Sequence, residues 1–441
     1  MNRNRLWLKL AAAALLTTLL GCGPESEDPT QDPTQDPTQT GDEIRSKKTR
    51  IQSPTAPDAD LTAQVTGNNT FAFDLYQQVK GESGNLFYSP HSISMALAML
   101  HAGARGNTER QMEQALSFVL PQSRLHPALN RLDLELESRG QGKKGADGEA
   151  FRLNVVNALW GQRGYGFLPS YLDVLALNYG AGLRVLNFVD KPEDSRLVIN
   201  DWVEQHTEHR IKDLLPPGSI SSFTRLVLTN AIYFNAAWAQ TFEEEATQDQ
   251  PFNRLDGSTV QVKMMHNTTR AGYVEGQGCK AAALPYDGDE LSMVVIVPDA
   301  GTFASFEQAL DRGTVDKIVK SLSWDNSVRV GLPRFEFTKP LNLKQPLEDL
   351  GMTDAFKLGE ADLSGIDGTR QLVVTAVLHK AFVKVNEAGT EAAAATAIVA
   401  GGSAPPTKTP ELIADRPFIF LIRDHRTGAI LFVGRMLDPT A

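Results

Sequence analysis

The chain has 441 residues, 41% of them hydrophobic and 22% charged, with a formal net charge of −10. That is apolar material for one large core or two or three small ones, which excludes a wholly disordered chain. The acidic balance leaves no footprint for a nucleic-acid backbone, and two cysteines, Cys22 and Cys279, exclude a disulfide scaffold or a CxxC site.

Residues 1–21 read as an export signal. Arg3 and Arg5 precede a mostly apolar run, Leu6 to Leu20, that Lys9 interrupts and that is too short to span a bilayer. Leu19-Leu20-Gly21-Cys22 resembles a bacterial lipobox, in which the Cys22 sulfur accepts a diacylglycerol before cleavage in front of it. Two or three acyl chains would anchor the product stably. The expected location is the bacterial outer membrane or cell surface, or release outside the cell. Gly23 rather than Asp after the cysteine points to the outer membrane where a host has two.

Residues 22–59 read as an acidic tether. Asp-Pro-Thr-Gln occurs three times in 28–39, and Cys22 to Glu43 carries seven acids and no base. Such a segment stays extended by proline and self-repulsion, reaching on the order of 100 Å. Arg45, Lys47, Lys48 and Arg50 form a minor basic patch, expected to be solvated or to touch anionic head groups.

From residue 60 to residue 441 the chain reads as one domain. Asn69 to Lys80 and Ser92 to Gly103 have helical apolar spacing, and Arg139 to Gly148, with four glycines, reads as a loop. Ile199 to Leu215 is expected to be an amphipathic helix closed by Pro216-Pro217-Gly218. Strands are expected at Leu226 to Phe234, Leu291 to Val297, Val328 to Phe337, Ala381 to Val385, Pro417 to Ile422 and Ile430 to Val433. Helices dominate the first half and strands the second, so the class is α+β rather than doubly wound α/β.

Catalytic motifs are missing: no GxSxG, GxxxxGK[ST] or HExxH occurs. His206 and His209 have a spacing that can bind zinc, but Glu204 and Glu208 interleave them as on a solvated helix face. Ser89-Pro90-His91-Ser92 gathers two hydroxyls and an imidazole without an acid to orient them, and a serine opening a helix is ordinarily its N-cap. Cys279 reads as a buried spectator.

The informative stretch runs from Glu387 to Ala404. Its alanines favour helix, and a linker of small residues would look much the same. Read as a strand, however, Thr390, Ala392, Ala394, Thr396, Ile398 and Ala400 form one uncharged face, with Glu391 on the other. Such a segment can slide between two existing strands.

Within that stretch, Glu387 to Thr396 resembles the hinge of inhibitory serpins, and the likeness to that family extends from Thr70 to Arg435. It is carried by Asn85-Leu-Phe-Tyr-Ser-Pro-His-Ser-Ile-Ser-Met-Ala-Leu-Ala-Met, Gly103-Ala-Arg-Gly-Asn-Thr and Thr229-Asn-Ala-Ile-Tyr-Phe-Asn-Ala-Ala-Trp238. Leu332-Pro-Arg-Phe, Val377-Leu-His-Lys-Ala381 and Arg416-Pro-Phe-Ile-Phe add to it. The resemblance implies about nine helices and three sheets, with an exposed reactive loop above a five-stranded central sheet. It implies a monomer that traps a serine protease as a covalent acyl-enzyme, without cofactor or metal.

By the same resemblance Glu387, Gly389, Thr390, Ala392, Ala394 and Thr396 form the hinge. Ser89, Ser92, Asn230 and His379 form a polar cluster beneath the opening sheet, with Trp238 where the loop goes in. Counting seventeen residues from Glu387 places the scissile bond at Ser403–Ala404. Matching Pro405-Pro406 to the family's proline pair places it at Gly402–Ser403 instead. Either bond suits an elastase-like or subtilisin-like protease with a small first pocket. Two other readings remain open here: a non-inhibitory serpin-fold surface lipoprotein acting as carrier or interaction module, and a hydrolase using Ser89 or Ser92 near His91.

Overall fold

The computed structural model describes residues 42–145, 148–325, 327–390 and 409–441. Cys22, Ala392, Ala394, Thr396, Gly402, Ser403 and Ala404 lie outside the described residues. Strand β1 (Asp42–Ile44) precedes helix α1 (Asp58–Val79), β2 (Leu86–Tyr88) and α2 (Pro90–His101). Helices α3 (Gly106–Ala115) and α4 (Gln122–Glu137) lead to β3 (Arg152–Gln162), α5 (Pro169–Tyr179), β4 (Leu183–Leu186) and α6 (Pro192–His206).

Strands then take over. They are β5 (Leu226–Ala237), β6 (Gln248–Asn253), β7 (Thr259–Arg270), β8 (Gly272–Gly276), β9 (Cys279–Pro285) and β10 (Leu291–Pro298). Short helices α7 (Phe303–Gln308) and α8 (Arg312–Lys320) precede β11 (Ser327–Pro333) and β12 (Phe335–Asn342). After α9 (Lys344–Asp349) and α10 (Ser364–Asp367) come β13 (Val374–Val385) and β14 (Gly389–Thr390). The chain ends with β15 (Glu411–Ile413), β16 (Phe418–Asp424) and β17 (Ile430–Met436).

Among the described residues the architecture is α+β with three sheets. The central sheet has the order β1-β4-β3-β5-β14-β13-β12: five full strands, extended by the short β1 at one edge and by β14 inside. A second sheet runs β2-β17-β16-β10-β9-β8 and a third β15-β11-β7-β6. Helix α2 shows why the layers stay together. Apolar residues surround it, all twelve residues are buried, and it packs against β3 and β5 on one side and β17 on the other. Each fully buried Leu or Met there contributes about 1.5–3 kcal/mol of burial.

Three expectations about local structure change. The predicted helix at 199–215 is α6, which begins at Pro192 and ends at His206, because Glu208, His209 and Asp213 adopt positive φ and cannot continue a right-handed helix. The predicted strand at 328–337 breaks at Arg334 into β11 and β12, which belong to different sheets.

The end of the tether is also more ordered than its composition suggests. Asp42–Ile44 pairs antiparallel with Leu183–Val185, and Arg50 binds Asn130, Asp133 and Glu137 at 2.5–2.8 Å. Lys48 pairs with Asp173 at 2.8 Å, and Arg45 donates to the Gly180 carbonyl at 2.6 Å. Arg50 is thereby largely withdrawn from solvent, whereas Arg45 and Lys48 keep a partner on the folded body and stay about half exposed. The acids that pair with Arg50 and Lys48 lie on α4 and α5, out of reach of a composition-based reading.

Candidate functional site

Strands β5 and β13 run parallel. They pair from Leu226 with Val374 up to Ile232 with Ala381, then part. Above the parting sits β14, antiparallel to both: Thr390 is paired with Ala236 on one side and Val385 on the other, and Gly389 with Ala237. Continuing the β5–β13 register would set Val385 beside Ala236, so Thr390 occupies the place where those strands would meet. Between the seat of β14 and the Ile232–Ala381 pair, Tyr233–Asn235 and Phe382–Lys384 have no pairing with each other.

Aromatic and ionic contacts hold the segment leading into β14. The Trp238 ring stacks on Tyr286 with centroids 4.8 Å apart, its indole N–H donates to the Asn386 carbonyl at 2.9 Å, and its backbone N–H donates to the Ala388 carbonyl at 2.9 Å. The Tyr286 and Thr390 hydroxyls are hydrogen-bonded at 2.8 Å, and both residues are buried. Burial pushes the Tyr286 phenol well above its ordinary range, so it stays neutral. The Glu387 carboxylate, 5% exposed, accepts from Arg334 Nε at 2.6 Å and from the Thr247 hydroxyl.

Deeper in the same seam a polar row crosses three strands. Asn157 of β3 lies opposite Asn230 of β5, which lies opposite His379 of β13. All three sit beneath the start of α2, where the Ser89 side chain caps the helix by accepting from the Ser92 N–H at 3.1 Å. His379 is wholly buried and burial pushes its imidazole down to about 3, so it is neutral.

Its Nε2 accepts from the Ser89 N–H at 3.3 Å, which leaves Nδ1–H to donate to Asn230 Oδ1. The Asn230 amide then donates to Ser92 Oγ and Asn157 Oδ1, and Asn157 Nδ2 returns a bond to the Ser92 carbonyl at 3.3 Å. Parting β5 from β13 at this level must break the His379–Asn230 bond.

The fold gathers Ser89, Ser92, Asn230 and His379 in one cluster and Glu387, Gly389 and Thr390 at β14, and it sets Trp238 with the hinge residues rather than with the cluster. Sequence reasoning missed Asn157, Tyr286, Arg334 and Thr247. Arg334 and Tyr286 lie 53 and 104 residues from their hinge partners, with no local pattern to mark them. Asn157, flanked by Val155, Val156, Ala158 and Leu159 in a strand, carried a signal: an amide in an apolar run needs buried partners.

The remaining candidates have other roles. Ser89, His91 and Ser92 are at most 1% exposed, so no substrate reaches them. His206 stacks on Trp202, whereas His209 lies past the helix end beside Glu204 at 3.3 Å, so the two do not share a helical face. Burial pushes the Cys279 thiol up to about 11, well away from a reactive thiolate.

A family model described as serpin (serine protease inhibitor) matches residues 66–439. The chain belongs to the serpin family. As a serpin it is a protease inhibitor rather than an enzyme, and the partner class of the family is the serine proteases.

The leukocyte elastase inhibitor of Sus scrofa is 40% identical over 85% of this serpin and 100% of its own length. An uncharacterized serpin-like protein of Thermococcus kodakarensis is 38% identical over 98% of both chains. Among solved structures, native tengpin, a thermophilic serpin, superposes with TM-score 0.77 at 26% identity over 90% of this serpin and 97% of that chain. Uncleaved ovalbumin superposes with TM-score 0.75 at 29% identity over 85% and 99%.

Proposed function

We propose that this serpin is an irreversible suicide-substrate inhibitor of an elastase-like or subtilisin-like serine protease, acting by insertion of its cleaved loop into the central sheet. The observation that carries the reading is the seat of Thr390 between Ala236 and Val385, above a stretch where β5 and β13 have let go of each other. Attack on Ser403–Ala404 or Gly402–Ser403 gives an acyl-enzyme, and strand addition then competes with water for it.

The register of β14 sets where each side chain goes. Moving two residues along the loop moves two down each neighbouring strand, so Ala392 comes opposite Phe234 and Val383, and Ala394 opposite Ile232 and Ala381. Thr396 then comes opposite Asn230 and His379. The alanines meet apolar neighbours, and the threonine brings a hydroxyl to the place where the His379–Asn230 bond is lost.

Magnitudes assign the driving force. About a dozen new backbone bonds at roughly 0.5–1.5 kcal/mol net nearly cancel against ordering a dozen residues at roughly 1–2 kcal/mol each. Burial of small apolar side chains and relief of strain in the native state must tip the balance, which is why one inward charge stalls the process. The small residues from Val399 to Ala404 suit a small first pocket. Lys408 lies downstream of both candidate bonds.

The test is to incubate the domain with elastase-like and subtilisin-like proteases and run a denaturing gel. A band at the summed mass that survives boiling is expected. Loop cleavage with a fully active protease overturns the reading and leaves the carrier role. The proposal includes export and lipidation at Cys22. Replacing that residue in Cys22→Ser is expected to move the protein from the membrane fraction to the soluble one.

A further inference from the structure

His101 closes α2 as its last residue and is wholly buried, yet among the described residues no group hydrogen-bonds either ring nitrogen. Its ring is held edge-on by Phe118, with centroids 5.5 Å apart at 70°. That orientation sets Nε2 3.8 Å from a Glu113 carboxylate oxygen. Glu109 lies one turn earlier on α3, and one ligand atom from each of His101, Glu109 and Glu113 lies within 4.8 Å of the others.

Gln122 fixes the third member. Its amide donates to Glu109 Oε1 at 2.8 Å and to the His101 carbonyl at 2.9 Å, tying the carboxylate to the end of α2. The nearby Arg105 uses its guanidinium on the carbonyls of Ala102 and Ala104. Two carboxylates and an imidazole thus converge, with an unpaired buried ring nitrogen within 4.8 Å of both carboxylates, an arrangement that a bound cation would relieve.

We propose that His101, Glu109 and Glu113 bind a divalent first-row transition ion, clamping the end of α2 to α3. One imidazole and two carboxylates suit zinc better than calcium or magnesium, which prefer oxygen alone. Zinc at about 2.0–2.2 Å from each donor draws the donors to roughly 3.3 Å apart. The half-exposed glutamates cover that shift by rotating their side chains. Gln122 acts as the positioning residue for Glu109.

The experiment is calorimetric titration of the chelator-washed protein with zinc chloride. One equivalent at micromolar affinity or tighter is expected, with Glu109→Gln and Glu113→Gln each weakening it about 10–100-fold. His209→Gln, at the exposed Glu204–His209 pair, leaves the affinity unchanged. Zinc at about a hundred times its dissociation constant raises the unfolding midpoint by about 3 °C in the parent and not in Glu113→Gln. The proposal is overturned by no binding up to about 100 µM, by full affinity in both glutamate variants, or by loss of binding in His209→Gln instead.

Discussion

The Thr390 hydroxyl meets the Tyr286 phenol at 2.8 Å across 104 residues of sequence, and this bond seats the first inward side chain of the loop in the central sheet. Thr390 is 1% exposed there, and the proposed insertion requires seats of the same kind for the residues that follow it.

A charge at this position cannot be desolvated cheaply. Thr390→Arg is expected to abolish the boil-resistant complex and to be cleaved as a substrate, since a buried unpaired guanidinium costs several kcal/mol. Thr390→Val keeps the shape and leaves one phenol without its partner, at about 1–2 kcal/mol. It should still form the complex. A denaturing gel reads both, and a full-yield complex from the arginine variant contradicts the inward seat.

Acid should weaken the seam through His379. Its imidazole titrates at about 3 in the fold and near 6.5 when exposed, so unfolding takes up a proton between those values. Its contribution is therefore present above pH 6.5 and is lost as pH falls toward 3, at about 1.4 kcal/mol per unit. Urea midpoints from pH 7 to pH 4 should fall less steeply in His379→Gln, even though that variant starts lower. Equal slopes would remove His379 as the cause.

Asn157 links β3 to the row through Asn230 and Ser92. Asn157→Ala leaves the Asn230 amide and the Ser92 carbonyl each short of a partner and is expected to cost about 1–3 kcal/mol. A guanidinium midpoint within error of the parent would show that the row is not a connected network.

Glu387 and Arg334 should respond unequally. The carboxylate side chain is 6% exposed and the arginine side chain 41%, so Arg334→Ala strands a buried charge whereas Glu387→Gln frees a cation that can turn to water. The arginine variant is expected to lose about 2–3 kcal/mol and the glutamate variant about 1 kcal/mol. Thermal midpoints in the reverse order would place the pair in solvent.

The alternation in 390–400 and the helix cap at Ser89 were legible as local patterns, whereas the polar cluster of Ser89, Ser92, Asn230 and His379 was reached only through the family resemblance that the motifs around those residues carry. The partners of these residues were not legible. Arg334 stands between two strands of different sheets and reads as part of one long strand. The docking of Arg50 depends on α4 acids some eighty residues away. The end of α6 was missed because residues capable of helix adopt left-handed backbone at Glu208 and His209, which composition does not signal.

The sequence alone determined the α+β class, the family and the uncharged alternating face of residues 390–400, because periodicity and motif are local properties of the chain. Only the tertiary structure decided that Thr390 is already seated and that β5 and β13 have parted above Ile232 and Ala381. It also decided that a row of amides and one neutral imidazole lies in the way. Those depend on which strands the fold sets side by side, and a register between distant strands is fixed by packing and hydrogen bonding across the sheet rather than by neighbours along the chain.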